Sequence, residues 1–367
     1  MLRLMIRYLV YLVFCVLASA SIGRAADTKS ELHEYLAKAC QSKTFMGAAS
    51  VTANGSPIFS DACGWADAEW KVENTVDTRF LTGSIGKQIT ASAVLLLYQE
   101  GKVSLSDPID KYLADLPESW RSATIHQLLT NTSGIPIFTS VPSVAPLMKL
   151  GATPNQMIDL VRDKPLLYPH GTKFTYNNTG FTLLGMLIEK VSGVSYERFI
   201  QEQIFDHLGM RESGFGDVRK IIPMMAKGYV LAGGELQNAD YIDPKVAWSA
   251  GDFYSTTHDL TLWSEALTGG KLLNSDTIKL MFAVYPETLS QGEYYGYGVV
   301  LNEHLGHRHQ SHGGGINGFN STLDRYPESG LVIVVMSNLD LGSSPSLMKS
   351  WDVADGLAQI WFRSQPK

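Results

Sequence analysis

Positive charge never gathers in this chain. Its 367 residues hold 30 Lys and Arg against 36 Asp and Glu, a formal net charge of −6, and no Lys/Arg run occurs. That leaves no electrostatic footprint for nucleic acid. Cysteine is scarce as well: Cys15, Cys40 and Cys63 are the only three, with no C-x-x-C spacing, so a zinc or thiol-redox site lacks its usual sequence basis. Long apolar runs are missing after the first 20 residues, which excludes a later membrane-spanning helix. His33-Glu34 has no second histidine at the spacing of a zinc-protease helix. The Gly-x-Ser-x-Gly elbow of an α/β-hydrolase is not met around Ser84, where Thr82 stands in place of the first glycine.

What is present begins with an export signal. Arg3 and Arg7 precede an apolar run from Tyr8 to Ala20 that closes on Ala18-Ser19-Ala20. A basic start, a short apolar stretch and small residues at its end make a secretory signal peptide over 1–20, with cleavage as late as residue 26. Phe14 before Cys15 does not suit a lipid anchor. The expectation is an exported protein, periplasmic or secreted, with no stable membrane span after cleavage. Cys40 and Cys63 then remain, either as a disulfide or as two buried thiols.

Hydrophobic residues make up 45% and charged residues 18% of the chain, the composition of a folded globular protein. Thr28 with Glu31 forms a capping box that opens a first helix. Two β-like runs, 46–53 and 57–64, flank Asn54-Gly55, a hairpin turn signal. Helical patterns cover 84–100, 124–130, 154–163, 179–192, 195–207 and 257–267, separated by long loops. Strand character returns at 297–301, 308–312, 320–326 and 331–337, and an amphipathic helix spans about 346–363. Strands at both ends and helices between them predict an α+β fold. An antiparallel sheet flanked by terminal helices would form from 27–80 plus 290–367. A mainly helical domain, 81–289, would be inserted.

Three stretches carry candidate chemistry. Ser84 and Lys87 stand three residues apart at a helix start and share a face there. A serine hydroxyl is a weak nucleophile without an adjacent base, and a buried lysine can be neutral enough to serve. Tyr176 and Asn178 lie just before a helix, where a phenol can move a proton and an amide can orient a substrate. His312 precedes Gly313, Gly314 and Gly315 at an expected strand end, where a backbone N–H can meet an oxyanion.

Ser84-Ile-Gly-Lys87, Tyr176-Asn177-Asn178 and His312-Gly313-Gly314 together resemble the three motifs of the serine β-lactamase and penicillin-binding protein superfamily, in that order. The Tyr-x-Asn form resembles the class C branch, which includes D-Ala-D-Ala carboxypeptidases and family VIII esterases. The stretches "TIHQLLTNTSGIP", "FDHLGMRESGF" and "WSAGDFYSTTHDL" are similar to it too, and the likeness runs from about residue 30 to 340. The resemblance implies a β-lactamase/transpeptidase-like fold. Ser84 would be the acyl-accepting nucleophile, and Lys87 with Tyr176 the proton-handling pair. Asn178 would steer Lys87 and the substrate, and the backbone N–H groups of Ser84 and Gly315 would form the oxyanion hole. No metal or other cofactor is required. The partner is a small-molecule or peptide substrate, and the oligomeric state is left open.

The third motif departs from the Lys-Thr-Gly of class C β-lactamases. His312 offers a positive charge only when protonated, a minority state at neutral pH for an ordinary imidazole. The expectation is therefore an exported serine hydrolase, acting on an ester, amide, D-Ala-D-Ala-type peptide or β-lactam through an acyl-serine. Carboxypeptidase or esterase activity fits better than efficient β-lactam hydrolysis. The alternative is an inactive member that binds cell-wall peptide or β-lactam as a scaffold. Glu303, His304, His307, His309 and His312 read as solvent-exposed loop residues rather than a metal site.

Overall fold

The structure is a computed structural model and describes residues 27–340 and 347–365. The expected signal segment lies outside the described residues. Helix α1 (27–41) leads into strands β1 (Gly47–Ala53) and β2 (Ser56–Cys63). After the helical region come β3 (Tyr294–Tyr295), β4 (Val300–His304), β5 (His307–Ile316), β6 (Phe319–Tyr326) and β7 (Leu331–Ser337). The seven form one antiparallel sheet in the order β3-β4-β5-β6-β7-β1-β2. Residues from the two ends of the chain thus pair side by side within it, with Val51 opposite Ile333. Asn54 and Gly55 both take positive φ, 50° and 73°, as a two-residue hairpin turn of the primed kind demands.

Every residue of β1 is buried, so the sheet is covered on both faces. Alternation sorts the side chains. Ala49, Val51, Ile333 and Val335 meet Leu32 and Leu36 of α1 and Val353 and Leu357 of the last helix, Ser350–Ser364. Ala48, Val334 and Met336 face the other way and join the core of the helical region. Cys40 and Cys63 form a disulfide that ties the end of α1 to the end of β2, with their Cα atoms 6.1 Å apart.

Two helices position the site. Helix α2 (Gly86–Gln99) follows a 3-10 turn at Gly83–Ile85 and is buried on nearly every side. Helix α3 (Asn178–Ser192) starts at Asn177, whose side chain accepts from the Gly180 N–H, and ends at Gly193 in the left-handed region. Segment 195–207 is not one α-helix: Tyr196–Ile200 passes through a π-type turn at Gln201–Phe205. The region read as helices and loops also holds strands. Phe80–Leu81, Phe253–Ser255 and Gly214–Phe215 form a small sheet, and Tyr229–Ala232 pairs with Glu235–Asn238 around Gly233-Gly234. Runs of two to four residues are too short to show a period of two.

Removing the disulfide should cost about 3 kcal/mol, the loop-closure entropy of a bridge of this span. Chemical denaturation of Cys40→Ala/Cys63→Ala against the parent measures it; an unchanged midpoint would show that the bridge contributes nothing.

Candidate active site

From Phe80 to Leu95, Ser84 is the one residue that is not buried. The turn that carries it is locked by close approach of three backbones. Gly83 takes φ 54°, and a Cβ there would stand 2.7 Å from the Gly315 nitrogen. A Cβ on Gly314 would stand 1.9 Å from the Thr82 oxygen, and one on Gly251 2.6 Å from Gly83. Only glycine permits β5 and the 248–252 turn to press against the backbone at Ser84. The expected strand end is different here: β5 continues through the glycines to Ile316, pairing Gly313, Gly314 and Gly315 with Thr322, Ser321 and Asn320. The glycine signal that reads as a turn is a strand flattened for contact.

Lys87 is fully buried. Its Nζ lies 3.2 Å from Ser84 Oγ and donates to the Ala250 carbonyl at 2.9 Å. The rings of Tyr176 and Phe181 flank it, with centroids at 4.6 and 5.3 Å. No carboxylate among the described residues forms an ion pair with it. Burial therefore drives its pKa well below the ordinary lysine value. Tyr176 moves the opposite way. Its surroundings raise the phenol above its ordinary pKa, and a hydrogen bond with Ser84 only partly offsets this. It is nevertheless 37% exposed, so one side of the ring is open to the cleft. An amine pushed toward losing its proton and a phenol pushed toward keeping it thus converge on one hydroxyl.

Asn178 lines the same cleft as Ser84, but the structure shows no bond from it to Lys87. Its Nδ2 donates to Thr139 Oγ1 at 3.2 Å, and its Oδ1 is buried without a partner. The Ala250 carbonyl holds Lys87 instead, a contact that depends on the chain path at 248–252 and has no side-chain signature. His312 is buried and sits 6.0 Å from the Tyr176 ring, centroid to centroid. Nδ1 donates to its own neighbour, the Gly313 carbonyl, at 2.6 Å, and Nε2 pairs with the Tyr295 hydroxyl at 2.9 Å. Burial, then the nearby Lys87, lowers its pKa to about 3. It carries no charge near neutral pH.

The remaining histidines are not loop residues. His304, His307 and His309 lie on β4 and β5, and His309 is buried. His309 meets Asp324 and Asn302, and His304 bridges to Asp355 of the last helix. His304 fastens that helix to the sheet, His309 makes its contacts within the sheet, and no metal-ligating group of three occurs among the described residues. Phe138 lines the cleft beside Ser84. Trp248, in contrast, is packed away from it, with its indole N–H donating to Glu197 at 2.7 Å.

The family profile described as Beta-lactamase matches residues 35–357. The chain belongs to the beta-lactamase family. It is 29% identical over 314 residues to the PbpX protein of Bacillus subtilis (strain 168), which carries a penicillin-binding-protein name, covering 85% of this chain and 74% of that one. The crystal structure of a penicillin-binding protein from Bacillus halodurans superposes with a TM-score of 0.78 at 27% identity, over 90% of this chain and 98% of that one. A D-stereospecific amidohydrolase from Streptomyces sp. gives 0.75 at 26% identity, over 90% and 97%. The fold is the β-lactamase/transpeptidase-like fold of this serine hydrolase superfamily. No helix among the described residues is long and apolar enough to cross a membrane.

The two glycines of the third motif should respond differently to a methyl group. Gly313→Ala meets only the Ser321 carbonyl at 3.7 Å, an ordinary contact, whereas Gly314→Ala must displace the Thr82 carbonyl. Gly314→Ala should lose about 2 kcal/mol or more and its reactive serine, and Gly313→Ala should stay within about 1 kcal/mol of the parent. Equal melting temperatures for the two would refute the packing described.

Proposed function

We propose that the protein hydrolyses an ester or amide through a covalent acyl-Ser84 intermediate. The observation that carries this is the buried, unpaired Lys87 amine 3.2 Å from Ser84 Oγ. The neutral amine accepts the hydroxyl proton as Oγ attacks the carbonyl carbon. The developing oxyanion turns to the backbone N–H groups of Ser84 and Gly315, which both line the cleft. As the bond to the leaving atom breaks, Tyr176 gives that atom its proton. The Lys87 proton then passes to the Tyr176 phenolate beside it, and both groups recover their starting states. Water attacks the acyl-enzyme by the same route in reverse, and Ser84 regains its proton.

Asn178 Oδ1, buried and unpartnered, suits an N–H of the bound substrate. The neutral His312 supplies no fixed cation for a substrate carboxylate. This favours an esterase or amidase over an efficient β-lactamase, and the likeness to the Streptomyces amidohydrolase supports the same reading. Export is part of the proposal, supported by the residue 1–20 signal pattern and by the Cys40–Cys63 disulfide, which suits an oxidising compartment.

Incubation with p-nitrophenyl acetate should give an acyl adduct on Ser84, seen by mass spectrometry, and none in Ser84→Ala. Lys87→Met should fold and lose about 10²–10⁴ in acylation rate. Retention of most activity would remove Lys87 from the proton route. The rate should fall as pH drops through the lowered Lys87 pKa, because the active base is the deprotonated form. It should stay level to pH 10.0, the ordinary tyrosine value, because the Tyr176 phenol is held above it. A loss of rate already below that pH would show that the acid is not a phenol held above its ordinary value.

A further inference from the structure

Two cavities lie at the site, one lined by Ser84 itself and the other by Tyr176 and His312, and they differ in charge and in lining. One, of about 180 Å³, lies on the Asn178 side and is lined by Phe138, Val144 and Met148 among others, none of them charged. The other, of about 270 Å³, lies on the Tyr176 side. Tyr176 protonates the leaving atom in the mechanism proposed above, so this second cavity receives the leaving group.

Its walls are aromatic. Phe174, Tyr176, Tyr294 and Tyr295 all line it. The Tyr295 centroid is 5.4 Å from that of Phe174 and 6.2 Å from that of Tyr176, the latter pair edge to face. His312 closes the floor without a charge. Glu293 is the one charged residue that lines the cavity. Its Oε1 accepts from Asn302 Nδ2 at 2.6 Å, and no Lys or Arg among the described residues forms an ion pair with it. Aromatic faces are negative at their centres, and several rings around one space attract an organic cation, above all when a carboxylate stands at the rim. A carboxylate leaving group meets the reverse: a like charge and no counter-ion.

Resting on the serine-hydrolase reading, we propose that the Tyr176-side cavity selects a leaving group bearing an ammonium, held by the aromatic walls and by Glu293. The substrate class is an ester or amide with an uncharged acyl part and an amino-alcohol or diamine leaving part. The acyl part seats in the uncharged cavity. Glu293 touches the ligand's cation and takes no part in the proton transfers.

Three esters of one acyl group test this: the choline ester, its uncharged isostere the 3,3-dimethylbutyl ester, and the anionic 2-carboxyethyl ester. Wild type should favour choline over dimethylbutyl by about tenfold in kcat/KM, the scale of a desolvated cation–aromatic contact, and should disfavour carboxyethyl. Glu293→Gln should bring the choline-to-dimethylbutyl ratio down several-fold, and Glu293→Lys should favour the carboxyethyl ester. A wild-type ratio near one, or a ratio unmoved by both substitutions, overturns the proposal while leaving the acyl-enzyme chemistry intact. Absence of a Ser84 adduct with all three esters overturns the hydrolase reading instead. The cavity is then judged by binding alone. Tetramethylammonium chloride should bind Ser84→Ala in calorimetry at constant ionic strength and bind its Glu293→Gln derivative several-fold more weakly; no heat with the former ends the proposal.

Discussion

A lysine amine buried without a counter-ion is the constraint around which this structure is organised. The amine has one carbonyl, one hydroxyl and two ring faces for company. Burial disfavours the ammonium there and pushes the amine toward its neutral form. The same packed surroundings act in the opposite sense on Tyr176, whose charged form is the phenolate. One low-dielectric environment therefore pushes the two groups in opposite directions.

Packing dense enough to do this requires backbones in contact. The Ser84 turn is squeezed between β5 and the 248–252 turn, and the glycines at 83, 251 and 314 occupy the contact points. The arrangement fixes Gly315 and Ser84 relative to each other through main-chain contact. The price of such rigidity is intolerance of a single methyl group at those points. The seven-stranded sheet stands behind it, held on its far face by α1 and the last helix and by the His–Asp contacts of β4 and β5.

Charge decides what the site can take. A family site that lacks a cation in its third motif would be thought merely weakened. Here the histidine in that place is buried, hydrogen-bonded on both nitrogens and neutral, and the nearby rim carries a carboxylate. The electrostatic sign of the leaving-group side is thus reversed, and a different class of ligand suits it.

Periodic segments and turn signals were readable along the chain. The Asn54-Gly55 hairpin, the buried run after Ser84 and the return of strands after residue 290 follow from local propensity and pattern. The grouping of Ser84, Lys87, Tyr176 and His312 came instead from the resemblance of their three motifs, in order, to the superfamily. Other features depended on the fold. Strands of two or three residues have no period to detect, the glycines of 313–315 look alike in a turn or a strand, and the histidines of 304–309 look exposed until a distant helix covers them. Asn178 turning to Thr139, and a main-chain oxygen at 250 holding the base, depend on where separate segments meet. The sequence by itself determined which groups were available and the local shapes that present them. Tertiary structure alone decided their protonation, their partners and the sign of the cavity, because each of these depends on what remote segments bring within a few ångströms and how much water they exclude.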